Sequence, residues 1–341
     1  MPHFISYISK TFISNPIYSI TNFYKNWSPW GKVLFFAVLL LIVITLFGAK
    51  KDNGLKEGFV ENKQFERAEG ERLNSVGGSR RSFEFKTGTD IYDDFYADIY
   101  DLLVFSGTKT QYEIGEIVNS TKPTQESIIL DIGSGTGHHV DQLSKKGFKV
   151  TGLDNSSAMI KKAKEYYPKY DFVEGDVQNA MQFQPQSFTH ILCMYFTIYY
   201  IKDKMVFFNN CFNWLQPGGY LVVHVVDKEM FDPILPSANP LLMLSPQRHA
   251  KTRITHSNIT FEDFKYNANF ELDGDKAKFV EKFSNKTTGK IFRKQEHEMF
   301  MESEDDILNM AQEAGFIQQS KIDLIKSGYE YNSLFTFVKP E

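Results

Sequence analysis

The run from Ile128 to Val140, IILDIGSGTGHHV, limits what this chain can fold into more than any other stretch. Ile128-Ile129-Leu130 has the β-branched, bulky character of a short buried strand. Asp131 closes that strand, and Gly133, Gly135 and Gly137 follow at every second position. Glycine reaches backbone conformations closed to other residues and leaves bare chain for a ligand to lie against. A helix begun by His138 would present free N–H groups at its start. Strand, glycine turn and helix N-terminus together describe a ligand site at the edge of an α/β sheet. The dinucleotide-binding spacing is G-x-G-x-x-G; here the third glycine arrives one residue early.

Downstream the acidic strand end recurs. Phe148 to Leu153 (FKVTGL) reads as a second strand closed by Asp154, whose carboxylate can accept hydrogen bonds from both hydroxyls of a ribose. Asn155-Ser-Ser-Ala-Met159 opens a helix with Ser156 or Ser157 as its cap. Tyr170 to Glu174 is a third strand, followed by the loop Gly175-Asp176-Val177. Phe188 to Phe196 (FTHILCMYF) is a fourth, continuing as Thr197-Ile-Tyr199-Tyr200. Leu215 to His224 (LQPGGYLVVH) reads as a helix end, a turn and a fifth strand, with His224 near its functional edge. Ser303 to Ala314 is a capped helix ended by Gly315, and Ser333 to Val338 is the last strand of a C-terminal hairpin.

The spacing Asp131-x-Gly133-x-Gly135-x-Gly137, with Asp154 and the Gly175-Asp176-Val177 loop, resembles the motifs of the class I S-adenosylmethionine (SAM) methyltransferases. Over residues 89–341 the resemblance implies a seven-stranded α/β sandwich that binds SAM. Asp131, Gly133, Ser134, Gly135 and Gly137 would approach the methionine end. Asp154 would hold the ribose, and Met159 and Asp176 would meet the adenine. Asn155, Val177, Met194 and Tyr195 would complete the cofactor contacts. Ahead of the glycine turn, Tyr92 to Val104 reads by itself as an amphipathic helix packing on the sheet. The string YDLLVFSGTKTQYEI from Tyr100 resembles the helical lid of the amino-sugar N,N-dimethyltransferases. That likeness implies Tyr100 and Tyr112 as SAM contacts and Tyr96 as a substrate contact.

Residues 228–298 exceed what a minimal seven-stranded domain needs. Phe231 to Gln247 carries prolines at 233, 236, 240 and 246 and reads as an ordered loop covering something. Arg248, His249, Lys251, Arg253 and His256 either hold a phosphate or form a solvated basic face. Strands follow at Thr260 to Leu272, Ala277 to Phe283 and Lys290 to Met301, joined by turns at Asp273-Gly274 and from Asn285 to Gly289. Such an inserted antiparallel sheet also resembles the amino-sugar N-methyltransferases, where it adds to the active-site wall or to a homodimer interface. The Glu296-His297 pair echoes an acidic-His pair of that family.

The sulfonium of SAM makes its methyl group an electrophile, so the protein must mainly align donor and acceptor and exclude water. An amine acceptor needs only deprotonation, whereas a hydroxyl needs a base or a metal. No metal cluster is evident, and none is expected. His224 is either a satisfied structural residue or the general base, with Tyr199 and Tyr96 beside it. The net charge of −4 argues against a general nucleic-acid partner. The absence of an Asn/Asp-Pro-Pro-Tyr signature argues against DNA and protein-amide acceptors. The expected acceptor is therefore a small-molecule or lipid-linked nucleophile, an amine foremost. The alternatives are a protein or RNA at a membrane-bound assembly, or a SAM-binding scaffold without activity.

Two cysteines, Cys193 and Cys211, make neither a disulfide framework nor a zinc site, which fits a reducing compartment. Residues 1–32 form an N-terminal segment with lysines and no acidic residue. Val33 to Ala49 (VLFFAVLLLIVITLFGA) follows without a charge and would span roughly 25 Å as a helix, enough for a short transmembrane segment. Trp27, Trp30, Lys32, Lys50 and Lys51 flank it as interfacial anchors. Phe47 is too bulky for the cleavage site of a signal peptide ending at Ala49. Lysines 50, 51, 56 and 63 favour a cytosolic C-terminal domain by the positive-inside rule. Residues 50–88, mixed in charge and rich in Gly, Ser and Asn, read as a flexible linker.

Overall fold

The computed structural model describes residues 83–235, 247 and 250–341, with Ser28, Lys32 and Phe36. The chain divides into 1–80 and 81–341, and the fold below belongs to the second unit. The expected N-terminal segment, the span 33–49 and the linker up to residue 82 lie outside the described residues, those three excepted. Among the described residues no helix is long and apolar enough to cross a membrane.

The fold alternates strand and helix as its apolar runs predict. After β1 (Glu84–Thr87) come two helices, α1 (Asp94–Val104) and α2 (Gly107–Thr121). Then follow β2 (Ile128–Ile132), α3 (His138–Lys145), β3 (Lys149–Asp154), α4 (Ser157–Tyr166), β4 (Asp171–Glu174) and β5 (Phe188–Cys193). A short α5 (Thr197–Tyr200), α6 (Lys204–Trp214) and β6 (Leu215–Val226) precede the insertion. The insertion contributes β7 (His256–Thr260), β8 (Phe264–Asp273), β9 (Lys276–Asn285) and β10 (Ile291–Phe300). The chain closes with α7 (Glu304–Glu313), β11 (Ile317–Asp323) and β12 (Asn332–Val338).

Seven strands form one sheet in the order β11-β12-β6-β5-β2-β3-β4. β6-β5-β2-β3-β4 run parallel, while β12 pairs antiparallel with both β6 and β11. The strand order reverses at β2, so a crevice opens at the carboxyl end of that strand, where open α/β sheets bind ligands. Both faces are covered because successive strand residues point opposite ways. Ile191 and Cys193 enter the core with Phe207, Phe208 and Trp214 of α6. Leu192, between them, joins Ile114 and Ile117 of α2 and Val140 of α3. Each such aliphatic side chain contributes about 1.5–3 kcal/mol on full burial.

A second sheet, β1-β10-β9-β8-β7, packs its inner face against α1. Here the structure corrects three boundaries. Glu84–Thr87 falls within the expected linker, yet it is an edge strand parallel to β10, with Glu84 opposite Arg293. The single strand expected over Thr260 to Leu272 is a hairpin, because Phe261 N–H donates to Phe264 C=O and turns the chain. The fourth strand stops at Cys193 rather than Phe196, since Tyr195 adopts a left-handed backbone (φ 53°) that no strand continues through.

Candidate active site

At the carboxyl ends of β2, β3 and β5 lies a cavity of about 390 Å³, within the size range of small-molecule sites. One half is built from the strand ends. Gly133 and Gly135 line it with backbone; Gly135 is left-handed (φ 53°), and a side chain there would point at Tyr100. Asp154 Oδ2 accepts from Gly135 N–H and Oδ1 from Ser156 N–H, both at 2.9 Å, leaving a lone pair on each oxygen for a diol. Burial raises the Asp154 pKa against these two bonds, which lower it. Asn155, Met159, Asp176 and Val177 complete this wall. Asp176 spends Oδ1 on Gln178 N–H at 2.9 Å. Carboxylates at two strand ends with glycine between them suit a ribose, an adenine amino group and an aminocarboxylate chain, so the cradle fits SAM.

α1 closes over this half. Asp101 accepts from Thr136 Oγ1 at 2.6 Å and from His138 Nε2 at 2.8 Å, which fastens the helix to the start of α3. Tyr92, Tyr96 and Tyr100 thereby face the cavity. Tyr92 is their hub, with edge contacts to Tyr96 (5.6 Å), Tyr100 (6.5 Å), Tyr200 (6.1 Å) and His297 (5.9 Å).

The inserted sheet supplies the opposite wall through Phe270, Phe279, His297 and Met299. His297 Nε2 donates to Glu281 Oε2 at 2.7 Å, and Tyr200 donates to His297 Nδ1 at 3.0 Å. Glu281, 0% exposed, also accepts from Tyr266 (2.6 Å), Tyr96 (3.0 Å) and Gln295. Burial works to raise its pKa, but the bonds from His297, Tyr266 and Gln295 prevail and hold it below the ordinary glutamate value. Tyr200 stays protonated, its pKa pushed up by burial.

Several expected site residues lie elsewhere. His224 is wholly buried behind Asn332, whose Oδ1 accepts from Nε2 at 3.0 Å; burial, then the Lys109 charge, pushes its pKa down to about 3. It neither reaches the cavity nor has the basicity expected of it. Tyr199 is also buried, its hydroxyl accepting from Val226 N–H (2.8 Å) and donating to Val226 C=O (3.2 Å). It locks α5 to β6, and the next residue, Tyr200, is the one in the cavity. Tyr112, on α2, packs against the core and does not line the cavity. Lys109 and Glu113 take the inward face instead. They pair with each other, His139 Nε2 donates to Glu113 at 3.2 Å, and the Lys109 ammonium lies 4.9 Å from the Tyr195 ring.

Met194 is packed in the sheet core, whereas Tyr195 does line the cavity. Ser134 turns its hydroxyl toward Gly152, away from the cavity. Gly137 serves packing: a Cβ there would sit 2.7 Å from the Phe172 ring. Asp131 is buried beneath the turn, its pKa raised to about 6 by burial, opposed by His139 and reinforced by Asp154 and Glu113. Glu296 points to the other face of β10, toward Lys294 (2.5 Å) and Lys278 (3.7 Å). Glu281, on the adjacent strand β9, is the partner of His297. Arg253 donates to Lys228 C=O (2.9 Å) and Phe231 C=O (2.7 Å), so its guanidinium is engaged on the loop. Arg248 and His249 lie outside the described residues.

Residues 129–219, which carry the glycine cradle and the acidic strand ends, match a methyltransferase domain family. Over 151 residues the chain is 31% identical to a dTDP-4-amino-2,3,4,6-tetradeoxy-D-glucose N,N-dimethyltransferase of Saccharopolyspora spinosa, covering 42% of this chain. The chain spans 60% of that relative's length, less than two thirds. The sugar N-methyltransferase KedS8 of Streptoalloteichus has the same fold (TM-score 0.55, 19% identity, 79% of this chain and 100% of that one). So does SAM-bound CalS10, an amino pentose methyltransferase of Micromonospora echinaspora (TM-score 0.51, 17% identity, 69% and 92%).

Proposed function

We propose that this chain methylates an amine nitrogen on a small acceptor of the amino-sugar class. The observation that carries the reading is the line Tyr200–His297–Glu281 on the wall opposite the cofactor cradle. SAM, when bound, supplies a methyl group made electrophilic by its sulfonium. The acceptor nitrogen must present a lone pair and shed a proton. Tyr200, held protonated, cannot act as a base alone; it takes that proton only by passing its own to His297 Nδ1. The Glu281 carboxylate then balances the imidazolium and fixes the ring's orientation through Nε2. Around this line, Tyr92, Tyr96, Tyr100 and Phe279 enclose the nitrogen in ring faces and edges, which favour a nitrogen gaining positive charge by about 0.5–2 kcal/mol. The S. spinosa relative is named for an amino-sugar amine, which supports the same acceptor class.

The test is transfer of labelled methyl from SAM, by the full chain, to amino sugars offered free, nucleotide-linked and lipid-linked. Label on the amine is the expected result. Label only on hydroxyl or carboxylate acceptors, with all amines inert, overturns it. We further propose that residues 33–49 anchor the enzyme in a membrane with the catalytic domain on the cytosolic side. Carbonate should then fail to extract the full chain, and protease should reach the domain only from that side; release by carbonate refutes the anchor.

A further inference from the structure

A second feature of the acceptor wall shares Glu281 with the Tyr200–His297 line: a closed ring of hydrogen bonds that crosses from α1 to the inserted sheet. Asp93, the N-cap of α1, accepts from Tyr96 N–H at 3.2 Å. Arg293 Nη1 donates to both Asp93 oxygens, at 3.0 and 2.9 Å, and its Nη2 donates to Ile91 C=O at 2.8 Å. Arg293 Nε donates to Gln295 Oε1 at 2.7 Å, and Gln295 Nε2 donates to Glu281 Oε2. Tyr96 then closes the ring, its hydroxyl on the same Glu281 oxygen at 3.0 Å. Arg293 and Gln295 are 1% and 0% exposed, and neither lines the cavity.

Burying the Arg293 guanidinium and the Glu281 carboxylate, with Asp93 half-buried beside them, is costly unless every partner is in place. Apolar side chains would pack the same space at no such cost. What the ring achieves is geometry. The helix that carries Tyr96 and Tyr100 over the cofactor half and the strand that carries Glu281 behind His297 are held by the same bonds. We propose that Arg293 and Gln295 are positioning residues through which the inserted sheet seats α1 and the Glu281 carboxylate together, so that the cofactor lid and the acceptor wall form as one unit. The inference rests on the methyltransferase reading of the cavity.

The experiment uses the full chain with Gln295→Leu, which cuts the ring without changing charge, and Asp93→Asn, which keeps a good helix cap while weakening the clamp. SAM affinity is measured by calorimetry, and amide hydrogen exchange is compared between residues 94–104 and residues 264–285. Each variant should weaken SAM roughly three- to tenfold, the scale of one lost hydrogen bond. Exchange should quicken in 94–104 and stay unchanged in 264–285. The double variant should be no worse than the weaker single, because one ring is already open. Wild-type affinity in both variants, exchange quickened in lid and sheet alike, or effects that multiply in the double would each overturn the proposal. Should Gln295→Leu fail to fold, Arg293→Lys, which keeps the charge but loses the Nε–H donor, takes its place under the same criteria. A wild-type chain that binds no SAM refutes the methyltransferase reading instead; the ring is then judged on exchange alone, by the same contrast.

Discussion

Neighbouring side chains on a strand face opposite ways, and that single fact separates what was legible at the residue scale from what was not. Glu296 and His297 look like a pair in sequence and stand on opposite faces of β10. The true partner, Glu281, announces itself in another way: it takes the apolar, inward register of β9 with Ala277, Phe279 and Phe283. An acid in that register needs partners, and four donors supply them. The same rule does not apply to Tyr199 and Tyr200, which sit on a helical turn where only three-dimensional packing decides which ring enters the cavity. Glu281→Gln should remove the counter-charge of the imidazolium, so kcat/KM should fall by roughly 10²-fold. Tyr200→Phe should lower it too, because it removes the relay. Tyr199→Phe should behave differently from both: it leaves the Val226 N–H unsatisfied and costs about 1–3 kcal/mol in denaturant unfolding, with turnover per folded molecule retained.

At the scale of elements, the strand–turn–helix at residues 128–145 was readable because glycine leaves so few structural alternatives. The Asp154 strand end and the Ser156 cap were readable for the same local reasons. β1 was not. Its four residues, Glu-Phe-Lys-Thr, carry no apolar alternation, and its pairing depends on β10, at the far end of the insertion. The β7–β8 turn was hidden because Phe261 and Phe264 give that bend an apolar look. The cradle predicts its own sensitivity. Gly135→Val should abolish SAM binding, since its backbone is left-handed and a side chain would occupy the ligand's space. Asp154→Asn should weaken SAM by about 1.5–3 kcal/mol, the value of hydrogen bonds to a charged group. Calorimetry on the two full-length variants decides: unchanged affinity in either removes that residue from the site.

For the whole molecule, the buried titratable groups make stability depend on pH in a direction that can be worked out. His224, pushed down to about 3, and His190, pushed down to about 4, both by burial, stay neutral in the fold where the unfolded chain would be protonated. From about pH 6.5 down to pH 4 the unfolded state therefore binds two more protons than these sites do, and acid favours unfolding. Asp131 acts oppositely: its carboxyl, raised to about 6 from an ordinary 3.8, takes a proton in the folded state first, which favours folding between those values as pH falls. Two histidines against Asp131 leave a net of one proton, which sets an upper limit of about 1.4 kcal/mol per pH unit on the drop between pH 6 and 4. It is an upper limit because burial raises Asp154 as well and adds a second carboxyl that favours folding in acid. Below about pH 4.5 Glu113 adds to the loss, because its pairing with Lys109 and His139 outweighs burial and holds it down to about 2. Urea unfolding at half-unit steps from pH 7 to 4 measures the slope. His190→Gln should lower the slope, and Asp131→Asn should raise it, each by about 1.4 kcal/mol per pH unit. A slope that neither substitution changes would show that these groups titrate alike in the folded and unfolded states.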